Sequence, residues 1–337
     1  MKAIILNGKQ DISLGEFPDP VLHENDVYVK VAYCGICGSD FHKYEGKQNT
    51  HPIRYPVPLG HEISGVVVNV GSAVNGISVG DRVTVDPNHS CGRCSFCQRG
   101  MESFCPEARG VVKGIAEYVS APIENVYRLP EGMSLEKAAL TEPLSCCIHG
   151  LDKLEVAVGD KVALVGLGAI GAMMLELLKI SGASEITVIE PNEEKRELAL
   201  KMGADRFVSS NDKDEIARLS ERGDINRVIE CVGNKYAQDT ALTVAGMGAT
   251  VVFFGVADAA ERLLISAYDA FKKELTVKTS YVNPHTTDRA LKILSSRSFN
   301  SEWLISGIIS MEEALEEIRN PKLTKRGKVL VKISENL

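Results

Sequence analysis

Four cysteines in one short segment have the spacing of a metal-binding cluster. They follow the pattern C-x2-C-x2-C-x7-C and are, in order, Cys91, Cys94, Cys97 and Cys105. Four thiolates can surround Zn²⁺ as a closed tetrahedron with no open position, which is the arrangement of a structural zinc site. An iron–sulfur cluster is the competing interpretation because Pro106 follows the last cysteine. The ferredoxin run has three residues before its final cysteine, however, so the gap of seven favours zinc.

A second cysteine pair, Cys34 and Cys37, forms C-x-x-C in the stretch CGICGSDFH. Such a pair can be a redox dithiol, part of a zinc site or neither, and these nine residues alone do not decide between the three. The chain has nine cysteines, an odd number, and no recognisable export signal. Metal binding or catalysis is therefore favoured over a disulfide framework.

A glycine-rich turn has the residues and the flanks of a dinucleotide-binding site. Gly166, Gly168 and Gly171 form G-x-G-x-x-G directly after the apolar run KVALV and at the start of a helical pattern. The first glycine allows the tight turn, the second lets the backbone approach a pyrophosphate, and the third lets helix and strand pack closely. With Ala169 and Ile170 they make up the predicted turn, whose helix N-terminus favours the anion.

Glu190 indicates which dinucleotide would bind. It ends the next apolar strand, about 20 residues after the motif, where a carboxylate accepts hydrogen bonds from the adenosine-ribose hydroxyls and repels a 2′-phosphate. This predicts NAD over NADP. Lys195 and Arg196 could favour a phosphate but lie in the following helix, and Arg196 is included among the predicted cofactor-binding residues. Val232 and Gly255 end later strands and are expected to line the cofactor cleft.

Composition excludes several classes of protein. The chain has 337 residues, 44% hydrophobic and 25% charged, which suits a globular protein of two domains. No apolar run approaches the roughly 20 residues of a membrane span, and the N-terminal MKAIIL is typical of a strand rather than a signal peptide. The net charge of -7 argues against nucleic acid or an anionic membrane as a main partner. We therefore expect a cytoplasmic protein with neither partner.

Two kinds of pattern divide the chain. Up to about residue 121, short β-branched runs broken by Gly, Pro, Asn and Asp predict a β domain. From about residue 161, six strands alternate with helices, which predicts an α/β fold with a doubly wound parallel sheet. Helices near 287–296 and 311–318 and a last strand, GKVLVKI, follow the sixth strand and are predicted to return to the first domain.

Further motifs accompany these features in a fixed order, among them LGHEISGVVVNVG, VGDRV, AEYV, EPLS and GKVLVKI. Over nearly the whole chain the set resembles the zinc-dependent medium-chain dehydrogenase/reductase family. GHE and EPL are similar to its polyol branch, typified by sorbitol dehydrogenase, with butanediol and threonine dehydrogenases as relatives. The resemblance implies a Rossmann NAD-binding domain at 146–283. It also implies a mainly β, GroES-like, zinc-binding catalytic domain made of 1–145 and 284–337.

The resemblance also implies a second, catalytic zinc in each chain. Its ligands would be Cys37, His61 and Glu62, with Glu142 as a fourth or alternating ligand. A catalytic zinc takes about three protein ligands and keeps one exchangeable position. It lowers the pKa of bound water to about 7, which suits the oxidation of an alcohol near neutral pH.

Polar residues after Cys37 receive roles from the same resemblance. Ser39 would be the proton-relay hydroxyl at the substrate oxygen, and His42 would pass the proton towards solvent. Asp40 would orient the ligand His61 from behind. The local alternative for Ser39 and Asp40 is a turn whose side chains bond the nearby backbone. If Cys37 is the zinc ligand, as the resemblance implies, Cys34 is a packing residue at the end of a strand.

Other candidates are weaker. The cysteines and the histidine expected to be structural are Cys146, Cys147, Cys231 and His149. Tyr44, Glu45 and Asn283 are polar candidates near the substrate. The segment between Cys105 and the AEY motif is shorter than in many relatives, so the identity of a named relative's substrate does not transfer.

The predicted function is hydride transfer between NAD and a secondary alcohol, with a polyol, sugar alcohol or cyclitol favoured. The alternative is an amino alcohol, as in threonine dehydrogenase, or a simple diol, as in butanediol dehydrogenase. Zinc-free, NADPH-dependent quinone reductases share the fold, but both metal clusters and Glu190 argue against them. A non-catalytic binding protein is disfavoured by the retained ligand set. A homodimer or homotetramer is expected, with an interface near strands 249–255 and 275–281.

Overall fold

The computed structural model describes residues 1–47, 53–111, 113–335 and 337. The strands are β1 (Lys2–Gly8), β2 (Asp11–Glu16), β3 (Asp26–Gly35), β4 (Val57–Pro58), β5 (Glu62–Val70), β6 (Arg82–Val85), β7 (Asn88–His89), β8 (Arg109–Gly110), β9 (Tyr118–Pro122), β10 (Val126–Arg128), β11 (Lys161–Val165), β12 (Glu185–Ile189), β13 (Arg206–Val208), β14 (Arg227–Glu230), β15 (Thr250–Phe253), β16 (Thr276–Thr279), β17 (Ile305–Ile309) and β18 (Lys328–Lys332). The helices are α1 (Gly38–Glu45), α2 (Leu135–Ala138), α3 (Thr141–Leu154), α4 (Ala169–Ile180), α5 (Arg196–Lys201), α6 (Lys213–Arg222), α7 (Lys235–Val244), α8 (Ala267–Lys273), α9 (Thr287–Ser295) and α10 (Met311–Arg319). No helix in these ranges is both long and apolar enough to cross a membrane.

The chain divides into two compact units. The first contains Met1–Ser145, Asn283–Arg297 and Ile305–Leu337, and the second contains Cys146–Val282 and Ser298–Leu304. The first unit is thus made of both ends of the chain, and the second of its middle. The resemblance implies instead that Ser298–Leu304 belongs to the first domain and Asn283 to the second.

The segment Ser298–Leu304 belongs to the second unit because its side chains pack there. The side chain of Phe299 is buried, and so is that of Leu304. The backbone N–H of Asn300 donates a hydrogen bond of 3.2 Å to Glu176 on α4. Glu176 is itself fully buried, so this bond satisfies a polar group that water cannot reach.

Two sheets form most of the first unit. The larger has the order β10-β6-β5-β3-β18-β17, with β9 also paired to β3, and the smaller has the order β2-β1-β4. In β3 the alternate residues Val27, Val29 and Val31 are fully buried, whereas Tyr28 and Lys30 are only half-buried. Successive side chains of a strand point to opposite faces, so this alternation places one face of β3 on the core. The β domain predicted from these branched runs is confirmed.

The second unit is built on a six-stranded parallel sheet. Its order is β13-β12-β11-β14-β15-β16, and the neighbouring strands all pair in parallel. Numbered within the unit, this is the order 3-2-1-4-5-6 of a doubly wound dinucleotide-binding sheet. The residues of β11 after Lys161 are buried, as expected of a strand covered on both faces. The predicted fold class is confirmed, and its switch point lies between β11 and β14.

One strand of the first unit lies in a segment with no predicted element. It is β17, which connects α9 to α10 and pairs in parallel with β18. Its sequence, ISGII, carries a glycine, and its first four residues are at least partly exposed. A strand at the end of a sheet needs no clean apolar alternation, so its sequence signal is weak.

Candidate functional site

Three of the predicted zinc ligands converge in the first unit, although they come from separate places in the sequence. Cys37 is the N-cap residue of α1, and Glu62 is the first residue of β5 with His61 directly before it. One ligand atom from each of the three lies within 4.8 Å of the others. The register of β3 and β5, which puts Gly35 opposite Glu62, brings these segments together.

Two atoms of this cluster that could bind a metal are buried. His61 Nδ1 and Glu62 Oε2 make no hydrogen bond within the described residues. Leaving a buried polar atom unpaired costs about 1–3 kcal/mol, so such an atom normally has a partner, which can be a metal ion or an ordered water. A Cβ built on Gly35 would collide with Glu62 Oε2, so the glycine makes room for this oxygen. A thiolate, an imidazole nitrogen and a carboxylate oxygen suit Zn²⁺, and the residues fit the predicted metal.

Glu142 stands apart from the three. It lies in the first turn of α3, in the same unit, and its side chain is buried. The cluster found among the described residues does not include it. Burial raises the pKa of Glu142 to about 8; the neighbouring His61 opposes this shift and Glu62 adds to it. Glu142 therefore interacts electrostatically with both predicted ligands. Its role as a fourth or alternating ligand stays a prediction.

Lys328 is a residue of this site that the sequence did not reveal. Its buried ammonium donates hydrogen bonds to Glu62 Oε1 at 2.6 Å and to the carbonyl oxygen of Ile36 at 3.2 Å. Burial disfavours the ammonium, but Glu62 together with the neighbouring Cys37 and Glu142 outweighs this effect, and the pKa of Lys328 is raised. One oxygen of Glu62 is thus fixed by Lys328 and the other remains for a metal. In sequence, a lysine beside an apolar run looks like an ordinary strand end.

Asp40 is buried, and its hydrogen bonds go to the main chain beside the predicted zinc ligands. Its carboxylate accepts hydrogen bonds from the backbone N–H of Cys37 at 3.0 Å and from that of Gly60 at 3.2 Å. The bond to Cys37 is part of a capping box at the start of α1, where unpaired N–H groups attract a carboxylate. The alternative in which Asp40 bonds the nearby backbone is thus observed, and a role of Asp40 in orienting His61 stays a prediction.

Ser39 and His42 lie on one face of α1, since residues three apart on a helix are neighbours. Both side chains are half-buried. A cavity of about 260 Å³ beside the helix is lined by His42, Tyr44 and Glu45 and, from the end of α10, by Arg319. The polar candidates Tyr44 and Glu45 therefore face a cavity, and their contact with substrate stays a prediction.

Asn283, the third polar candidate, is buried and its amide is hydrogen-bonded within the protein. It is 1% exposed. Its Nδ2 donates to Ser145 Oγ at 2.8 Å and to Asp86 Oδ2 at 3.1 Å, and its Oδ1 accepts from Asn88 at 2.7 Å. The side chain thus joins three segments of the first unit internally, and its place near the substrate stays a prediction.

The four cysteines of the predicted structural zinc site lie on a loop whose base is the ribbon β7-β8. Their sulfurs are within 4.8 Å of one another. The Sγ of Cys97 lies 3.5 Å from that of Cys94 and 4.0 Å from that of Cys91. Sulfurs placed tetrahedrally at about 2.3 Å from zinc would be about 3.8 Å apart, so the loop fits a closed zinc site. The N–H of Arg93 lowers the pKa of Cys91 to about 7, which favours the thiolate.

The glycine-rich turn of the second unit has the geometry that its sequence predicts. Gly166 has φ of 94°, in the left-handed region that glycine accepts without strain. A Cβ on Gly171 would collide with the carbonyl oxygen of Gly166, which shows how closely helix and strand approach. Gly168 is the N-cap of α4, with Ala169 and Ile170 as its first residues. Beside Gly168 an added Cβ would meet nothing within 4 Å, so the backbone is open to an anion.

Glu190 lies beside this turn, directly after β12. Its carboxylate accepts a hydrogen bond of 2.8 Å from the N–H of Leu167 and one of 3.2 Å from that of Asn192. Lys195 Nζ lies 3.6 Å from Glu190 and donates to the carbonyl oxygen of Leu167 at 2.9 Å. Glu190 and Lys195, the lysine whose charge could favour a phosphate, thus both lie at the edge of the predicted nucleotide site.

The other predicted cofactor residues are spread along the sheet. Arg196 donates to the carbonyl oxygen of Phe207 at 3.0 Å, and its guanidinium lies 4.6 Å from the centre of that ring. It is thus anchored on β13. Val232 follows β14 and packs against Gly166, and Gly255 follows β15 at the same carboxyl edge. Their contacts with a cofactor stay predictions.

The residues expected to be structural do make internal contacts. Cys34 is fully buried in the core of the first unit, which leaves Cys37 as the cysteine of that pair in the metal cluster. Cys147 is buried on α3 beside the half-buried Cys146. Burial raises the pKa of Cys231 well above its usual range. His149 Nδ1 lies 2.9 Å from a main-chain oxygen of its own unit.

Family models match both units. Residues 23–131 match the alcohol dehydrogenase GroES-like domain, and residues 169–296 match the zinc-binding dehydrogenase domain. The first match contains the cysteine loop, His61 and Glu62. The second begins at the helix that follows the glycine-rich turn.

Proteins of known name match over almost the full length. The chain is 31% identical over 328 residues to D-arabinitol dehydrogenase 1 of Uromyces fabae, covering 94% of this chain and 93% of that protein. It is 29% identical to sorbitol dehydrogenase of Bacillus subtilis (strain 168), covering 93% and 91%. A crystal structure from Sinorhizobium meliloti 1021, assigned to the zinc-binding dehydrogenases and bound to NADP, is 35% identical with a TM-score of 0.92 and 98% coverage of both chains. The chain belongs to the zinc-dependent medium-chain dehydrogenase/reductase family and, within it, to the polyol dehydrogenase branch.

Proposed function

We propose that the chain is a zinc- and NAD-dependent dehydrogenase that interconverts a secondary alcohol of a polyol, sugar alcohol or cyclitol with the matching ketone. The observation that carries the proposal is the cluster of Cys37, His61 and Glu62, with two buried donor atoms unpaired among the described residues. The first unit would hold both zinc ions and the second the dinucleotide. The two units would then be the predicted catalytic and NAD-binding domains.

Residues of the first unit would hold the metal and fix its ligands. Bound zinc supplies a Lewis acid for the reacting oxygen, and the nicotinamide supplies or accepts the hydride. Lys328 holds Oε1 of Glu62 and leaves Oε2 for the metal. Asp40 ties the main chain at Cys37 to that at Gly60, next to His61. Positioning of this kind keeps the ligands in place without reorganisation during the reaction.

Ser39 and His42 would move the proton. A hydroxyl can accept one hydrogen bond while donating another, so Ser39 suits the first transfer from the substrate oxygen. An imidazole ring can accept a proton at one nitrogen and donate one from the other, so His42 suits the second transfer. Their shared face on α1 lets the two side chains act in sequence, and His42 lines a cavity.

The named relatives support the substrate class. D-arabinitol and sorbitol, which their names give as substrates, both carry secondary hydroxyls on a polyol chain. We expect kcat/KM to be highest for a polyol when arabinitol, sorbitol, xylitol, inositol, 2,3-butanediol and threonine are compared with NAD and with NADP. Absorbance of the reduced cofactor is the measurement.

The same assay distinguishes the alternative substrate classes. Threonine or 2,3-butanediol turned over at least tenfold better than every polyol would show that the substrate class is wrong while the zinc chemistry stands. Protein stripped of zinc is the control, and any rate that it retains is not the proposed reaction.

Glu190 is expected to set the preference for NAD. We predict that Glu190→Ala lowers kcat/KM for NAD at least about tenfold and raises the NADP-to-NAD ratio. The physical reason is that an ionised acceptor is lost from the ribose and a negative charge is removed from the position of a 2′-phosphate. Steady-state kinetics with both cofactors is the measurement.

Glu194→Ala is the matched control for that experiment, because it removes an exposed carboxylate four residues along the chain. It should leave the ratio unchanged. Lys195 lies 3.6 Å from Glu190 and offsets part of its charge, and the similar Sinorhizobium meliloti structure is bound to NADP. An unchanged ratio in Glu190→Ala would show that Glu190 does not select the cofactor.

A second copy of the chain is the proposed partner of the second unit's sheet edge. β16 is the edge strand of the six-stranded sheet, and its side chains are mostly exposed. None of the residues of α8, which precedes it, is buried. Phe271 is 84% exposed, and Val256 and Leu264 are exposed nearby in sequence. Exposed strand edges with apolar neighbours pair readily, so we propose a homo-oligomer through this surface.

We predict that wild-type protein has at least twice the monomer mass in solution and that Phe271→Glu shifts it to monomer. The reason is that association would bury the new carboxylate at an apolar contact, which is unfavourable. Analytical ultracentrifugation is the measurement, with Tyr236→Glu as control because Tyr236 is equally exposed on a different helix. A monomeric wild-type protein would contradict the proposed interface.

We also propose that the protein works in the cytoplasm. The nine cysteines are free thiols, and five of them belong to the two metal clusters. Thiolate ligands persist in a reducing compartment. Fractionation of cells with an antibody to the chain would test this location.

A further inference from the structure

One buried carboxylate in the second unit has no role in the chemistry above. Glu230 ends β14 and is fully buried. Its Oε1 accepts hydrogen bonds from the backbone N–H of Val232 at 2.6 Å and from that of Gly233 at 2.7 Å. Its main-chain oxygen accepts from Phe254 and Gly255, both at 2.9 Å. Glu230 therefore ties together the segments that follow β14 and β15.

These two segments form a continuous row with the glycine-rich turn. A Cβ on Gly255 would collide with Gly233, and a Cβ on Gly166 would collide with Val232. The row therefore runs from the end of β15 over β14 to β11, with no space between its members. Gly166 begins the turn that is expected to meet the pyrophosphate.

The position of the row indicates which half of the cofactor it serves. Glu190, at the end of β12, marks the adenosine side of the switch point. The row lies on the opposite side of β11, towards β14 and β15. In a doubly wound sheet that side takes the second mononucleotide, which in NAD carries the nicotinamide.

We propose that Glu230 is a positioning residue that holds Val232 against the glycine-rich turn and so preforms the surface met by the nicotinamide half of the dinucleotide. The proposal rests on the dinucleotide binding stated above. An acceptor oxygen that is held in place by burial and takes two backbone N–H bonds restrains the loop that carries them. A loop fixed before binding does not lose conformational freedom when the cofactor arrives, which favours affinity.

The test compares two probes in several variants. We expect Glu230→Ala to raise the Kd for NADH about tenfold while the Kd for ADP-ribose, which lacks the nicotinamide, changes less than about threefold. Glu230→Gln keeps an amide oxygen in place of Oε1 and should restore NADH binding to within about threefold of wild type. Val232→Ala alters a side chain that is 46% exposed, so it folds, and should shift NADH binding in the same direction. Fluorescence of bound NADH and its displacement by ADP-ribose give both constants.

Glu176→Ala is the matched control, because Glu176 is a fully buried carboxylate of the same unit that bonds Lys179 and Asn300 instead. It should lower Tm and leave the ratio of the two constants unchanged. The inference is overturned if Glu230→Ala and Val232→Ala leave the ratio at its wild-type value, or if Glu176→Ala changes it equally. Wild-type protein that bound neither NADH nor NADPH would instead contradict the proposed function, and this inference with it.

Discussion

The His61→Ala enzyme should lose turnover by at least about 10³-fold while it still binds NADH. Removing one of three protein ligands leaves Cys37 and Glu62, too few for a catalytic zinc site. Without the metal, several kcal/mol of charge stabilisation at the reacting oxygen is lost, and each 1.36 kcal/mol is worth a factor of ten in rate. The glycine-rich turn belongs to the second unit and should be unaffected. Initial rates, zinc content by mass spectrometry and NADH fluorescence are the measurements.

Cys37→Ala should give the same result as His61→Ala, and zinc should fall from two ions to one per chain in both. His23→Ala is the control, because His23 is an exposed histidine of the same unit. It should keep both zinc ions and near wild-type rates. An active His61→Ala enzyme with one zinc per chain would show that the cluster is not the catalytic centre.

The second large effect should be on stability. We expect Cys94→Ser to lose one zinc per chain and to lower Tm by at least about 5 °C, while the catalytic zinc remains. A structural zinc binds with about 10–16 kcal/mol in isolated zinc fingers, and losing even about 3 kcal/mol of that lowers Tm by several degrees in a protein of this size. The closed shell of four sulfurs offers no place for substrate, so the loss should be structural. Calorimetry and zinc content are the measurements.

Cys146→Ser is the matched control, because Cys146 is half-buried and belongs to neither metal cluster. It should retain two zinc ions. A Cys94→Ser protein that keeps its Tm but loses its activity would contradict the division into one structural and one catalytic site.

Features that depend on neighbouring residues could be predicted from the sequence. The cysteine loop is one, because the spacing of its four residues already limits how they can surround a metal. The glycine-rich turn is another, since the strand before it and the helix after it are local patterns. The six parallel strands follow for the same reason, because each apolar run ends in turn residues.

Contacts between distant segments could not be predicted. Lys328 reaches Glu62 across 266 residues, and the pairing of β18 with β3 and of β3 with β5 brings the two together. Asp40 could bond a side chain or a main-chain N–H, and the unpaired donors of a helix start decide between them. Asn283 looks like a polar residue at a domain boundary, yet its amide is buried among three partners. Each case depends on tertiary packing, which one-dimensional patterns do not record.

The two metal clusters differ in how far apart in the sequence their residues and supporting contacts lie. The four sulfurs lie within Cys91–Cys105, so only a short loop has to close before that zinc can bind. The other site joins Cys37 and Glu62 to Lys328, near the far end of the chain, and the entropy cost of closing so long a loop has to be met by the packed fold. During synthesis, a nascent chain can therefore take up zinc in the cysteine loop early. The proposed catalytic centre is completed only when the last strand has been made, so a truncated chain can be metallated without being active.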